Sequence, residues 1–126
     1  MLIVNDKEKT IYSRQITLPE VGLKGQEELE DTGILIVGMG GLGCPVAHYL
    51  ISSGIGYLTL MDSDTVELSN LSRQPLYSEK DIGKFKVDVA KEKLVQINPN
   101  AVINVFSNEL NNENALEMVS SVDFVI

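Results

Sequence analysis

Tryptophan is absent from this 126-residue chain, and cysteine and histidine occur once each. A single cysteine, Cys44, cannot close an internal disulfide, so no covalent staple is expected and a reducing cytoplasm suits the chain. Cys44 stands just after a glycine-rich turn, where a small packing residue fits better than a reactive thiol. His48 has no companion of catalytic type near it and reads as a core or solvent-facing residue rather than a general base. No apolar run reaches roughly 18 residues, which excludes a membrane-spanning helix. The opening MLIVNDKEKT has only a four-residue apolar start and no small-residue cleavage site, so it is not a secretory signal. Cations are scarce: ten Lys and Arg stand against eighteen Asp and Glu, a formal charge of −8. With no basic stripe to neutralise phosphates, sequence-independent nucleic-acid binding is excluded.

What is present is ordinary for one globular core, with 44% hydrophobic and 22% charged residues. The apolar pattern is more informative. ILIV (34–37) is a short β-branched run of the kind buried on both faces of a parallel sheet. It leads into GMGGLG, after which Leu42, Val46, Tyr49 and Leu50 recur at helical spacing until Gly54. YLTLMD (57–62) predicts a second strand, and Val87, Ala90, Leu94 and Ile97 mark a helix ended by NPN. VINVF (102–106), NENALEMVSS and VDFVI (122–126) predict a third strand, a short helix and a fourth strand. This alternation predicts an α/β fold: a Rossmann-like, mostly parallel sheet with helices on both faces. Residues 1–31 form an N-terminal extension, in which GQEELED predicts a helix with a wet face, and residues 32–126 form the α/β domain. The last strand runs off the end of the chain in apolar residues, whereas domain termini usually lie at the surface. The expectation is a larger protein cut after its fourth strand.

Gly38, Gly40 and Gly43 form G-x-G-x-x-G between a strand and a helix, the context that motif needs. The first glycine permits the tight turn, the second lets the backbone approach a phosphate, and the third lets helix and strand pack closely. Gly41 adds room. The helix N-terminus offers free N–H groups to an anion, and Asp62, ending the second strand, is placed for ribose hydroxyls. NAD or FAD would be served by that turn alone. Here a long connection, 63–83, adds Asp64, Asn70, Arg73 and Gln74, with Lys84 and Lys86 just after it. Connections in α/β units usually take about 2–6 residues, and long ones tend to be functional. A lysine in the first helical turn, as Lys86 is, opposes the helix dipole and is better explained by an anion beside it. Lys84 reads as a solvated surface group, and Asp64 as either a turn former or a helper at the sugar or a metal. The only two arginines, Arg14 and Arg73, both stand in the tripeptide SRQ (13–15 and 72–74). Guanidinium and ammonium groups together suit a polyphosphate better than a pyrophosphate.

The segments YSRQITL, GQEELEDTGILIVGMGGLG, LMDSDTVELSNLSRQPLY, DIGKFKVDVAKEKL and INP, in this order, closely resemble the N-terminal halves of the MoeB/ThiF/HesA proteins. These are bacterial relatives of the ubiquitin-activating enzymes. The resemblance implies an adenylyltransferase that uses ATP and magnesium to activate the C-terminal carboxylate of a small ubiquitin-like sulfur-carrier protein. It implies that Gly38, Gly40, Gly41 and Gly43 hold the nucleotide, that Asp62 binds ribose, and that Asn70, Arg73 and Lys86 contact the phosphates. It implies a homodimer in which Arg14 reaches the neighbour's triphosphate, so that Arg14, Arg73 and Lys86 are the catalytic cations. The family's magnesium-binding aspartate, zinc-binding C-x-x-C pairs and sulfur-transfer cysteine would follow Ile126. The resemblance therefore implies no metal ligand within the 126 residues, and that this piece alone is inactive. Two other functions stay open at this point: an NAD-dependent oxidoreductase, and a non-catalytic, truncated dimerisation module. Molybdopterin-type and thiamine-type carriers are not distinguished.

Overall fold

A computed structural model of the chain describes residues 4–126. Three short helices come first, α1 (Asp6–Ile11), α2 (Ser13–Ile16) and α3 (Gly22–Glu30). The α/β unit follows as β1 (Gly33–Val37), α4 (Gly43–Ser52), β2 (Tyr57–Met61), α5 (Lys86–Ile97), β3 (Val102–Phe106), α6 (Ala115–Ser120) and β4 (Phe124–Val125). All four strands are parallel, in the order β3-β2-β1-β4. The doubly wound sheet expected from the apolar pattern is therefore present, and the direction of winding reverses between β1 and β4. Ligands of open α/β sheets bind beyond the carboxyl ends of the strands at such a reversal.

The two faces of the sheet are unequal. Ile34, Ile36, Leu58, Leu60 and Ile103 point to α4 and α5 and meet Cys44, Ala47, Ile51, Val87, Ala90 and Leu94 in one continuous core. Each large aliphatic side chain fully buried there contributes about 1.5–3 kcal/mol before entropy is subtracted. On the opposite face Leu35 and Met61 are covered by Met118 of α6, with Leu110 and Val122 beside them. Helices thus lie on both faces, but one face carries most of the core.

The helix after the glycine turn buries a different stripe from the one its large residues suggest. Leu42 is 85% exposed and Tyr49 72%, whereas Cys44, Ala47 and Ile51 are fully buried. The reason is distance. A Cβ added at Gly43 would overlap the Gly38 carbonyl oxygen and lie 3.0 Å from its carbon, so helix and strand meet at backbone contact. At that spacing the side chains nearest the turn, Cys44 and Ala47, are small, and the larger Ile51 is buried further along the helix. Burial pushes the Cys44 thiol above the ordinary value, with Tyr77 and Lys86 opposing the shift. It is a packing group.

Helix α1 belongs to the helical extension expected ahead of the α/β domain. Its start is a reciprocal cap: the Glu8 N–H donates to the Asn5 carboxamide oxygen at 3.0 Å, and the Asn5 N–H donates to the Glu8 carboxylate at 2.8 Å. An Asn-x-x-Glu signal of this kind is legible in NDKE. Among the described residues no helix is long and apolar enough to cross a membrane.

Where the extension meets the sheet, one carboxylate is poorly accommodated. Among the described residues the buried Glu30 Oε1 has no hydrogen-bond partner. Burial, followed by the charges of Glu8, Glu27 and Asp31, raises the Glu30 carboxyl above its ordinary value. A raised folded-state value means the folded chain holds the proton more tightly than the unfolded one. The penalty is therefore absent below the ordinary carboxylate range and grows as pH rises through the raised value. Glu30→Gln is expected to raise the melting temperature at neutral pH, with the gain vanishing below about pH 4. Melting curves across a pH series check this, and a pH-independent difference would refute it.

Candidate functional site

Strand β1 ends at Val37 and the chain turns at Gly38, φ 98°, into α4. The Gly38 N–H donates to the Met61 carbonyl at 2.8 Å, which ties the turn to the end of β2. Helix α4 opens without any side-chain cap, so its first N–H groups have no side-chain partner there. Asp62 follows β2 directly. Its Oδ2 accepts the Met39 N–H at 2.7 Å and its Oδ1 accepts the Asp64 N–H at 2.7 Å. The aspartate that spacing placed at a ribose is therefore also the clamp that holds the glycine turn. Each oxygen keeps a further lone pair, facing an open cleft of about 340 Å³ lined by Gly38, Asp62, Ser63, Asn108 and Glu109. A second cleft of about 410 Å³, lined by Gly40, Gly41, Leu42, Val46 and Ile126, lies on the β4 side of the same turn. The two clefts share Val37 and Gly38.

The long connection from 63 to 83 is not irregular. It contains two short 3₁₀ turns, Leu68–Asn70 and Glu79–Asp81. Val66, Leu76 and Tyr77 pin it to the main core, and the buried Tyr77 hydroxyl donates to the Met39 carbonyl at 2.6 Å. Asp81 is a second anchor, accepting from the Ser78 N–H and hydroxyl, each at 2.9 Å. Burial pushes the Asp81 carboxyl up, but those bonds and the Lys93 and Lys84 ammonium groups outweigh it and hold it below the ordinary value. Lys84, read from sequence as a surface group, is half-exposed and 3.9 Å from Asp81.

So anchored, the loop folds back over the glycine turn. A Cβ at Gly41 would lie 3.7 Å from the Arg73 carbonyl oxygen and 3.9 Å from its Cγ. At Gly40 the nearest atom is Gln74 Nε2, at 3.7 Å. Arg73 is exposed, with Nη1 donating to the Ser69 carbonyl at 2.8 Å. Gln74 is buried, and its Oε1 has no hydrogen-bond partner, which leaves an orphaned polar atom at the edge of the site. In the sequence Gln74 is one polar residue of the loop, and its place in the second SRQ is the only local signal of this role. Asn70 is buried and spends its carboxamide oxygen on the Glu67 N–H at 2.8 Å, while its carbonyl accepts from Arg73 and Gln74. Its Nδ2 remains as a donor.

Lys86 opens α5, with Phe85 as an N-cap that makes no side-chain bond. It is 6% exposed, and its Nζ lies 3.8 Å from the Asp64 carboxylate, too long for a hydrogen bond. A buried ammonium with so loose a partner is expensive to maintain. Arg14 lies apart from this group. It is exposed on α2 and takes part in none of the ion pairs among the described residues. The structure thus brings Gly38, Gly40, Gly41, Gly43, Asp62 and Arg73 together around one turn, holds Asn70 behind them through its bonds to Arg73 and Gln74, sets Lys86 against Asp64 of the same loop, and leaves Arg14 on the extension. Among the described residues no three His, Cys, Asp or Glu side chains cluster as a metal site.

Several known proteins are similar to this chain. The molybdopterin-synthase adenylyltransferase of Escherichia coli K12 is 43% identical over 126 residues, covering all of this chain and 51% of the relative. The sulfur carrier protein adenylyltransferase of Thermus thermophilus is 43% identical over 115 residues, covering 91% of this chain and 42% of the relative. Among solved structures, the E. coli tRNA N6-threonylcarbamoyladenosine dehydratase TcdA in complex with ATP superimposes with a TM-score of 0.90 at 29% identity. That superposition covers 98% of this chain and 51% of the dehydratase. The chain therefore spans about half the length of these relatives or less. The profile described as the ThiF family matches residues 12–126. That match takes in all but the first eleven residues, far more than half of the chain, and the chain belongs to the ThiF family.

Proposed function

We propose that this chain is the ATP-binding portion of an adenylyltransferase that activates the C-terminal carboxylate of a small ubiquitin-like sulfur-carrier protein. Residues 32–126 hold the nucleotide and residues 1–31 form an arm that serves a neighbouring subunit. One observation carries the reading: the long loop lays Arg73 against Gly41 and is joined through Asp64 to the buried Lys86. A nicotinamide dinucleotide gives no reason to maintain a buried ammonium beside the glycine turn. A triphosphate does, because its charge repays the desolvation that Asp64 at 3.8 Å leaves unpaid.

In this reading the adenine nucleotide lies across the turn, with ribose hydroxyls on the free lone pairs of Asp62. Its phosphates meet the uncapped first turn of α4 and the donors of Asn70, Arg73 and Lys86. The carrier's carboxylate is already a nucleophile at neutral pH and attacks the α-phosphorus, forming the acyl-adenylate as the bond to pyrophosphate breaks. The obstacle is the approach of two anions. The cations lower that repulsion and stabilise charge on the departing pyrophosphate, and alignment supplies the remainder. Arg14 reaches the phosphates of the partner subunit in a homodimer, which accounts for an exposed guanidinium that takes part in no ion pair among the described residues. Magnesium would accompany the nucleotide. No three acidic or metal-binding side chains cluster among the described residues to hold it, so these residues contribute only the phosphate donors.

The deciding experiment is thermal shift of the full-length protein with ATP–magnesium and with NAD, followed by pyrophosphate exchange with molybdopterin-type and thiamine-type carriers. ATP is expected to stabilise and NAD to do nothing; the reverse result overturns the proposal. Arg73→Ala is expected to weaken ATP by about 1.5–3 kcal/mol, as for loss of a charge-assisted bond. Calorimetric titration measures it, and an unchanged affinity would remove Arg73 from the site.

A further inference from the structure

The helix α3 has one fully buried residue, and it is polar. Gln26 is 0% exposed. Its Nε2 donates to the Ser53 carbonyl at 3.1 Å. Gln15, from the first SRQ, donates from its own Nε2 to the same carbonyl at 2.7 Å and also to Gln26 Oε1. Ser53 is the C-cap of α4, so two carboxamides from the extension close the end of the helix whose other end is the glycine turn. Space for them comes from Gly54, where an added Cβ would overlap Gln26 Nε2 and sit 3.0 Å from Tyr12 Cζ.

Burying two carboxamides is a poor way to gain stability. Two leucines would cover the same surface without the desolvation penalty, and a buried amide is tolerated only when its bonds are made. What the amides add is direction: the bonds form only when α2, α3 and the end of α4 hold one mutual orientation. The residue next to Gln15 is Arg14, which is exposed on α2. The two SRQ segments share this arrangement, with glutamine inward and arginine outward.

We infer that Gln15 and Gln26 are positioning residues for Arg14: their joint grip on the Ser53 carbonyl sets the arginine arm relative to the glycine turn at the far end of α4. That helix is about 15 Å long at 1.5 Å per residue, and it is a rigid ruler between the two. A two-fold axis then carries each arm to the neighbour's phosphates at a fixed height. The inference rests on the proposal that Arg14 acts in trans on bound ATP.

The test is a set of mutant cycles in the full-length protein: Gln26→Met and Gln15→Met, each alone and combined with Arg14→Ala. Pyrophosphate exchange with the carrier that supports it gives kcat and the KM for ATP, and melting curves report the fold. Each methionine variant is expected to lower kcat about ten- to a hundredfold, the scale of a small misplacement. The KM for ATP should stay within about twofold, as for loss of an interaction made in the transition state. In the Arg14→Ala background the same substitutions should cost no further kcat, because the group they position is gone. Equal losses in both backgrounds, or folded variants with unchanged kcat, overturn the inference. If Arg14→Ala alone leaves exchange unaltered, the in-trans reading fails by itself, and the positioning role falls with it. Should Gln26→Met not fold, Gln15→Met, at a half-buried position, carries the same cycle.

Discussion

Lys86→Met is expected to lower carrier-dependent pyrophosphate exchange by about 10²–10³-fold, the usual effect of removing one preorganised donor from developing charge. The same substitution should leave the melting temperature unchanged or raise it. The two outcomes follow from one geometry. Lys86 is 6% exposed, and among the described residues the only carboxylate within 4 Å of its ammonium is Asp64, at 3.8 Å. Methionine fills a similar volume without the charge. Asp64 is not stranded by the change, because its side chain is 70% exposed to water. Removing one partner of a buried pair destabilises when the survivor is buried too, and here it is not. A structural lysine would show the opposite pattern, with melting falling and exchange holding in the molecules that remain folded. Melting curves and exchange rates on the same preparation separate the two, and a stable, fully active Lys86→Met protein would end the triphosphate reading of this residue.

Gly43→Ala is expected to destabilise the fold by about 3 kcal/mol or more and to abolish the thermal shift with ATP. The obstruction is backbone against backbone: the new methyl would overlap the Gly38 carbonyl oxygen, which no rotamer can move aside. Relief requires α4 to lift from β1, opening the seam filled by Cys44, Ala47 and Ile51. A domain whose whole stability is about 5–15 kcal/mol loses a large part of it in that step. Gly41→Ala is the control. Its methyl would meet the Arg73 carbonyl oxygen at 3.7 Å, an ordinary contact, so melting should be close to the parent protein. Parallel thermal melts decide the matter; a Gly43→Ala protein melting with the parent would mean that the turn relaxes at little cost.

The first three strands were legible because each is a short apolar run bounded by turn residues, and VINVF agrees with β3 at both ends; VDFVI, which has no closing turn, pairs only over Phe124–Val125. The glycine turn, Asp62 and the α4 start were legible for the same local reason. Helix α4 shows the limit of periodicity. Leu42 and Tyr49 look like a core stripe but face outward, because the backbone contact at Gly43 turns the face carrying Cys44, Ala47 and Ile51 to the interior. The extension shows another limit. GQEELED reads as a wet helix, and its glutamates bear that out in part, yet Gln26 is the one residue of it that is completely buried. Nothing in a hydrophobicity pattern marks a polar residue for burial, since its partner, the Ser53 carbonyl, is 27 positions away.

From its order of residues alone the chain specified an α/β fold, a glycine-rich turn between strand and helix and a set of rare cations, because those follow from periodicity, from glycine and from counting charges. Only the folded chain decided how these meet. Burial of Val66, Leu76 and Tyr77 draws the long loop back over the turn and sets Arg73 beside Gly41. Lys86 is buried at the end of that loop and Gln74 is set beside Gly40, while Gln15 of the other SRQ reaches the Ser53 carbonyl from the extension. Contacts between distant positions depend on which surfaces lose water together, and that is a property of the packed core rather than of any local stretch.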